Sequence, residues 1–152
     1  MPNLALVFDM IKDNIFRPLA PAKEPWPSDA FIEENDTSEE DKLARLILTS
    51  VYEIFLALVR DTRFKLGPHT NESFFRQYVL LYNSACPLEV DYLKQIWHRM
   101  YAGMVRHRRK MKLAMRYFFL DFEENRGVGE ILSNLIAILT GLQTPLKPEW
   151  YK

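Results

Sequence analysis

Residues 87–104 read PLEVDYLKQIWHRMYAGM and carry a regular pattern of apolar side chains. Apolar side chains return in it every three or four residues, which is the spacing of one buried face of an α-helix. Pro87 suits the first turn of a helix, and Glu89 and Asp91 follow where the helix dipole favours acidic side chains. The side chains predicted to face inward are Val90, Leu93, Ile96, Trp97, Met100, Tyr101 and Met104.

The same helical period recurs along the rest of the chain. Further helices are predicted at about 4–16, 39–63, 72–85, 111–123 and 130–142. On the second of these, the predicted inward stripe consists of Leu43, Leu46, Ile47, Ser50, Val51, Ile54, Phe55 and Leu58. Five glycines leave few sites for the turns of a sheet, and the nine prolines stand mostly at segment edges. The sequence therefore predicts an all-α protein of about six helices with no strand.

The starts of the predicted helices suggest a repeating architecture. Helical pairs begin near residues 41, 87 and 129, which matches the roughly 40–47-residue period of HEAT-type helical hairpins. We predict a single helical-repeat domain over 1–152, with an acidic connector at 19–40 and a solenoid of stacked hairpins. Alternate helices should then share a layer. A helical bundle with long loops is the alternative.

Composition excludes several classes of protein. Twenty basic and twenty acidic residues give a net charge of zero, which disfavours nucleic acid or an anionic membrane as a partner bound through overall charge. The single cysteine, Cys86, excludes an internal disulfide framework and a zinc site built from several cysteines. Charged residues interrupt the apolar stretch at 1–16, which is unlike a signal peptide. We expect a cytoplasmic protein, also found in the nucleus, without a membrane partner.

The sequence contains no arrangement typical of a catalytic site. His98 and His107 lie nine residues apart, on opposite faces of a straight helix, so they cannot share a metal ion there. There is no nucleophile elbow, phosphate-binding glycine loop or paired-histidine zinc motif. We therefore expect no enzymatic activity, no metal and no cofactor.

The charges are distributed unevenly along the chain. Residues 24–41 hold eight acidic residues and no lysine or arginine, as in a solvated loop or an arm that contacts a basic partner. Residues 99–116 hold seven lysines and arginines. This basic run could stabilise a helix end, or bind RNA or importin through 106–112.

A third interpretation of the basic run is a peptide site. His98, Tyr101, Val105 and Arg108 follow one another at helical spacing, with Arg99 beside them. An aromatic ring between cationic groups suits a short peptide that carries apolar anchors and an acid.

The chain resembles the B-prime family of regulatory subunits of protein phosphatase 2A. The most specific piece is residues 93–101, whose HRMY is similar to the His-Arg-Ile-Tyr of that family. The other pieces, in the same order as in the family, are NIFRPL at 14–19, WP at 26–27, VYEIFL at 51–56, DYLK at 91–94, GEIL at 129–132, TG at 140–141 and PLK at 145–147.

The resemblance implies a HEAT-like solenoid that is not an enzyme. Members of the family bind the scaffold and catalytic subunits of the phosphatase and select its phosphoprotein substrates. They recognise a short acidic-hydrophobic motif, leucine, then isoleucine three residues on, then glutamate two further on. The corresponding peptide-binding residues in this chain are His98, Arg99, Tyr101, Arg108, Ile138 and Lys147.

The sequence also departs from the family pattern. Asn134 stands where isoleucine is usual, Trp150 stands where histidine is usual, and residues 106–112 are more basic. The family's solenoid continues on both sides, so this chain would be a truncated section of about three hairpins. Because cut solenoid ends expose apolar faces, we expect dimerisation or limited stability.

Overall fold

The computed structural model describes residues 3–19, 39–84, 86–121, 129 and 131–132. The helices are α1 (Leu4–Ile15), α2 (Glu39–Arg60), α3 (Glu72–Leu80), α4 (Pro87–Gly103) and α5 (Arg108–Leu120). Single 3-10 turns lie at Gly67–His69, Leu81–Asn83 and Val105–His107. The described residues contain no strand, which confirms the all-α prediction. Most of the predicted sixth helix and of the acidic connector lies outside the described residues.

Local sequence explains where the helices begin. Asn3 and Asn71 precede α1 and α3, and their side-chain oxygens accept hydrogen bonds from the backbone N–H groups of Ala5 (3.2 Å) and Phe74 (2.8 Å). Such caps satisfy backbone donors that have no partner within the helix. Pro87 opens α4, as its fixed φ angle favours.

The helices form two layers, and alternate helices along the chain, α2 with α4 and α3 with α5, share a layer. α2 packs against α4, α3 packs against α5, and α1 packs against α2. This is the pairing that stacked hairpins produce, because each hairpin contributes one helix to each layer. The fold is therefore the predicted HEAT-like section of a helical solenoid.

An aromatic cluster forms the centre of the core. Its fully buried members include Phe8, Phe55, Phe75, Tyr78 and Trp97. Trp97 stacks on Tyr78 with ring centroids 5.4 Å apart, and the Tyr78 hydroxyl donates a 2.7 Å hydrogen bond to the Leu93 carbonyl. Burial raises the pKa of Tyr78 well above its usual value, so this hydroxyl stays neutral. The Trp97 Nε1 atom is buried and has no hydrogen-bond partner among the described residues.

The predicted inward stripe of α2 is partly wrong. Leu43, Leu46, Ile47 and Ile54 are 43–66% exposed, and Ser50 is exposed as well. The buried residues of α2 instead run from Val51 to Leu58 and include Tyr52 and Leu56, which the stripe omitted. Periodicity identifies apolar side chains, whereas burial also requires a neighbouring element that covers them.

Candidate functional site

Four of the predicted peptide-binding residues, His98, Arg99, Tyr101 and Arg108, are described by the structure, on the second half of α4 and at the start of α5. α4 ends at Gly103, a 3-10 turn follows at Val105–His107, and α5 begins at Arg108. Arg108 is therefore not on the same helix as His98 and Tyr101. The prediction that all of them share one helical face is wrong, because the chain turns after Gly103.

The turn nevertheless brings Arg108 back onto α4. Its guanidinium carbon lies 4.8 Å from the centroid of the Tyr101 ring, at a distance suited to a cation–π interaction. Its Nε donates a 2.8 Å hydrogen bond to the Tyr101 carbonyl, and its Nη2 donates one of 3.4 Å to the Ala102 carbonyl. These carbonyls belong to the last turn of α4, where helical acceptors lack partners. Arg108 thus fixes the corner between α4 and α5 and keeps a cation over an aromatic ring.

The other predicted site residues divide into two groups. His98 is partly buried and Arg99 is exposed, both on α4 within one turn of Tyr101, which is itself 8% exposed. Ile138 and Lys147 lie outside the described residues, as do Asn134 and Trp150. The described part of the site is thus an aromatic ring covered by Arg108, with the exposed Arg99 two residues before that ring on α4. Such groups can bind a carboxylate through charge-assisted hydrogen bonds.

A buried carboxylate holds the other end of α4 in place. Glu89 is 2% exposed. Arg17 donates from Nη1 and Nη2 to its two oxygens, each at 2.8 Å, and the Tyr52 hydroxyl donates at 2.6 Å. The Ser84 hydroxyl donates a further hydrogen bond to Glu89. This network links the residues after α1, the middle of α2 and the start of α4.

The network also decides the charge of Glu89. Burial alone raises the pKa of this carboxyl group, but the hydrogen bonds from Arg17, Ser84 and Tyr52 and the charge of Arg17 together lower it below its usual value. The hydrogen bond to Glu89 raises the pKa of Arg17, and burial raises that of Tyr52. Glu89 is therefore ionised at neutral pH. Sequence reasoning assigned it only to the helix dipole.

An open groove of about 480 Å³ runs between α2 and α4. The ring of Tyr92, one of its lining residues, stacks on Tyr52 with centroids 5.8 Å apart, and the Tyr92 hydroxyl donates a 3.2 Å hydrogen bond to the Glu53 carboxylate. Its lining residues are Glu53, Leu56, Ala57, Arg60, Leu88, Asp91, Tyr92 and Gln95.

Two kinds of feature do not occur in the described part of the chain. No cluster of three or more histidine, cysteine or acidic side chains could hold a metal ion there. Within the same residues, no helix has the length and apolar character to cross a membrane.

Helices stacked in two layers define a helical-repeat protein. The chain matches, over residues 2–152, the family described as protein phosphatase 2A regulatory B subunit (B56 family). The chain belongs to this family.

Curated relatives agree with the family. The chain is 32% identical to the beta isoform of the 56 kDa regulatory subunit of Homo sapiens, over 94% of this chain and 29% of the relative. It is 31% identical to the regulatory subunit psrA of Dictyostelium discoideum, over 95% and 24%. It is 30% identical to the delta 1 isoform of the 56 kDa regulatory subunit of Schizosaccharomyces pombe, over 94% and 27%. The chain thus spans 24–29% of the length of these relatives.

All three relatives are named as regulatory subunits of serine/threonine protein phosphatase 2A. The family is one of regulators and not of catalytic subunits. The sequence-based prediction that the chain belongs to a family of regulatory, non-catalytic subunits is therefore confirmed.

Proposed function

We propose that the chain recruits phosphoprotein substrates to protein phosphatase 2A by binding short linear motifs at the α4–α5 corner. The motif has leucine, isoleucine three residues on, and glutamate two further on. The observation that carries the proposal is the Arg108 guanidinium over the Tyr101 ring. Arg99 adds a second, exposed arginine on α4, two residues before Tyr101. Family membership supports it.

The described side chains suit different parts of such a motif. Arg99 and Arg108 bind the glutamate, because guanidinium groups bind carboxylates in bidentate geometry. The two bonds from Arg108 to the α4 carbonyls leave its other N–H groups available. His98 offers the motif a ring nitrogen for hydrogen bonding, and Tyr101, which is 8% exposed, would border its apolar side chains. Ile138 and Lys147 are assigned to the same site by the resemblance alone.

Calorimetry with the motif peptide tests this site. We expect the chain to bind the peptide and to lose binding of a peptide whose glutamate is replaced by glutamine. Arg99→Glu should weaken binding about tenfold or more, because it replaces an attractive pair by a repulsive one. The matched control is Arg45→Glu, an equal change of charge at an exposed position of α2. Absence of binding, or equal effects of the two substitutions, would contradict the proposal.

Two variants at the corner need a fold control. Tyr101→Ala and Arg108→Glu should also abolish binding, but both residues support the corner itself. Their circular dichroism spectra and melting temperatures are therefore compared with those of the unmodified chain. Arg99→Glu, which changes an exposed side chain, separates loss of binding from loss of fold.

The same proposal includes the scaffold and catalytic subunits of the phosphatase as partners. A pull-down with the tagged chain should recover both subunits. We also propose that the protein acts in the cytoplasm and nucleus, which a fluorescent fusion would test. The alternative sequence prediction is binding of RNA or importin through 106–112. If the partner is RNA, binding should weaken steeply as the salt concentration rises.

A further inference from the structure

Helix α5 presents an unusual charge distribution. Its sequence, RRKMKLAMRYFFL, contains five basic residues and no acidic residue. One side of the helix is buried, through Met111, Ala114, Met115 and Phe118. The side of the helix on which each basic residue lies therefore decides whether its charge can reach a partner.

Three of these cations form one solvent-facing row, the α5 stripe: Arg109, Lys112 and Arg116. All three are exposed. They follow one another at intervals of three and four residues, so they share one side of the helix over about 10 Å. None of the ion pairs formed within the described ranges involves them. Their charges are thus available to a partner.

Apolar surface borders the α5 stripe on the same helix. Tyr117 is 43% exposed and Leu120 is 65% exposed. Arg76 of α3 lies over the Tyr117 ring, with its guanidinium carbon 4.2 Å from the ring centroid. The surface therefore extends from α5 to α3 and combines cations with exposed apolar side chains.

We propose that the α5 stripe binds an acidic segment of another protein. Aspartate and glutamate side chains of that segment would pair with Arg109, Lys112 and Arg116, and a neighbouring apolar side chain would pack on Tyr117 and Leu120. Charge complementarity carries the proposal, because the row offers only cations. The apolar contact with Tyr117 and Leu120 would fix which part of the bound segment lies against the helix.

The geometry favours a peptide over the other polyanions. Duplex nucleic acid engages many phosphates over a wide surface, whereas the α5 stripe is one helix wide and the chain carries no net positive charge. Single strands stack bases on open aromatic faces, and Arg76 already occupies a face of Tyr117. An interfacial membrane helix needs a broad apolar face, but the broad apolar face of α5 packs in the core.

This surface is separate from the corner site. Arg99 lies on α4 and Arg108 is bound to the α4 carbonyls, whereas the α5 stripe points away from the buried side of α5. The basic run at 99–116 therefore divides among different positions in the fold. The inference goes beyond the proposed function, and either can fail without the other.

Fluorescence anisotropy tests the α5 stripe in the full chain. The probe is a fluorescein-labelled peptide of glutamates with a leucine at every fourth position. We expect binding that weakens about tenfold or more in the double variant Arg109→Glu and Arg116→Glu, because two attractive pairs become repulsive. The matched control, Arg45→Glu with Lys65→Glu, makes the same change of charge at exposed positions of α2 and the following loop. Its affinity should stay within about twofold of the unmodified chain.

Parallel titrations with a uridine oligonucleotide and with phosphatidylserine vesicles distinguish the occupant. Tighter binding of either than of the peptide would overturn the proposal. Equal loss of peptide affinity in both double variants would also overturn it, since that result indicates general charge attraction. Retained binding of the motif peptide by the Arg109 and Arg116 variant would show that the corner site is intact.

Discussion

Two arginines hold the two ends of α4, and they do so in opposite ways. At the start of the helix, Arg17 donates hydrogen bonds to both carboxylate oxygens of Glu89, whose side chain is 1% exposed. At the end of the helix, Arg108 bonds only backbone carbonyls and lies over the Tyr101 ring.

The difference separates a structural charge from a binding charge. The charge of Arg17 is neutralised by a buried partner, so little of it is available to a ligand. Carbonyl groups carry only partial charges, so Arg108 keeps its full positive charge at the corner. A helix can therefore be anchored at one end by an ion pair and present an unneutralised cation at the other.

The largest expected effect comes from breaking the buried end. Glu89→Ala leaves Arg17 without its anion and removes the acceptor of Tyr52 and Ser84. We expect a loss of about 3 kcal/mol in the free energy of unfolding, the low end for a broken buried pair because Arg17 keeps some contact with water. Urea denaturation followed by circular dichroism measures it. Asp91→Ala, at an exposed position of the same helix, is the control and should cost under about 1 kcal/mol. Equal losses would remove the distinction between the two ends.

Acid should produce a smaller loss through the same group. The folded pKa of Glu89 is lowered, so the unfolded chain binds this proton more readily. The stabilisation is therefore complete above the unfolded pKa of about 4.3 and is lost as pH falls through the lower folded value. Urea midpoints measured between neutral pH and acid should fall more steeply for the unmodified chain than for Glu89→Gln. Parallel curves would show that Glu89 does not carry the effect.

The smallest expected effect is at the exposed end. Arg108→Met should cost about 1–2 kcal/mol, because partly exposed hydrogen bonds to carbonyls and a cation–π contact are lost without leaving a buried charge. The same urea titration measures it. Arg99→Gln should change stability by less than about 0.5 kcal/mol, since its side chain is exposed. A cost at Arg108 equal to that at Glu89 would mean that both ends are structural.

Local patterns in the sequence were enough to predict the helices and most of the core. The predicted inward residues of α4 from Val90 to Tyr101 are buried in the structure, and Met104 is partly buried. Phe74, Phe75, Tyr78 and Val79 of α3 are buried as well. These helices have neighbours along their length, so apolar periodicity and burial coincide. On α2 they diverge at Leu43, Leu46 and Ile47, where apolar side chains are exposed.

The site was less accessible to sequence reasoning. Glu89 and Arg17 lie 72 residues apart, and no spacing rule connects them. The contact between Arg108 and Tyr101 depends on a turn after Gly103 that changes the direction of the chain. Helical spacing predicted that Arg108 and Tyr101 lie close together, and they are in contact, but through the turn and not through a shared helix face.

The packing of Trp97 has a spectroscopic consequence. The chain contains three tryptophans, and Trp97 is the one in the described core, 1% exposed and stacked on Tyr78. An indole in an apolar site emits at shorter wavelength than one in water. The Trp97 indole, 5.4 Å from the Tyr78 ring, is also close enough to receive excitation energy from that tyrosine. Opening of the α3–α4 contact should therefore shift the emission to the red and reduce the energy transfer. Trp97 fluorescence therefore reports on the contact between the two helical layers without an added label.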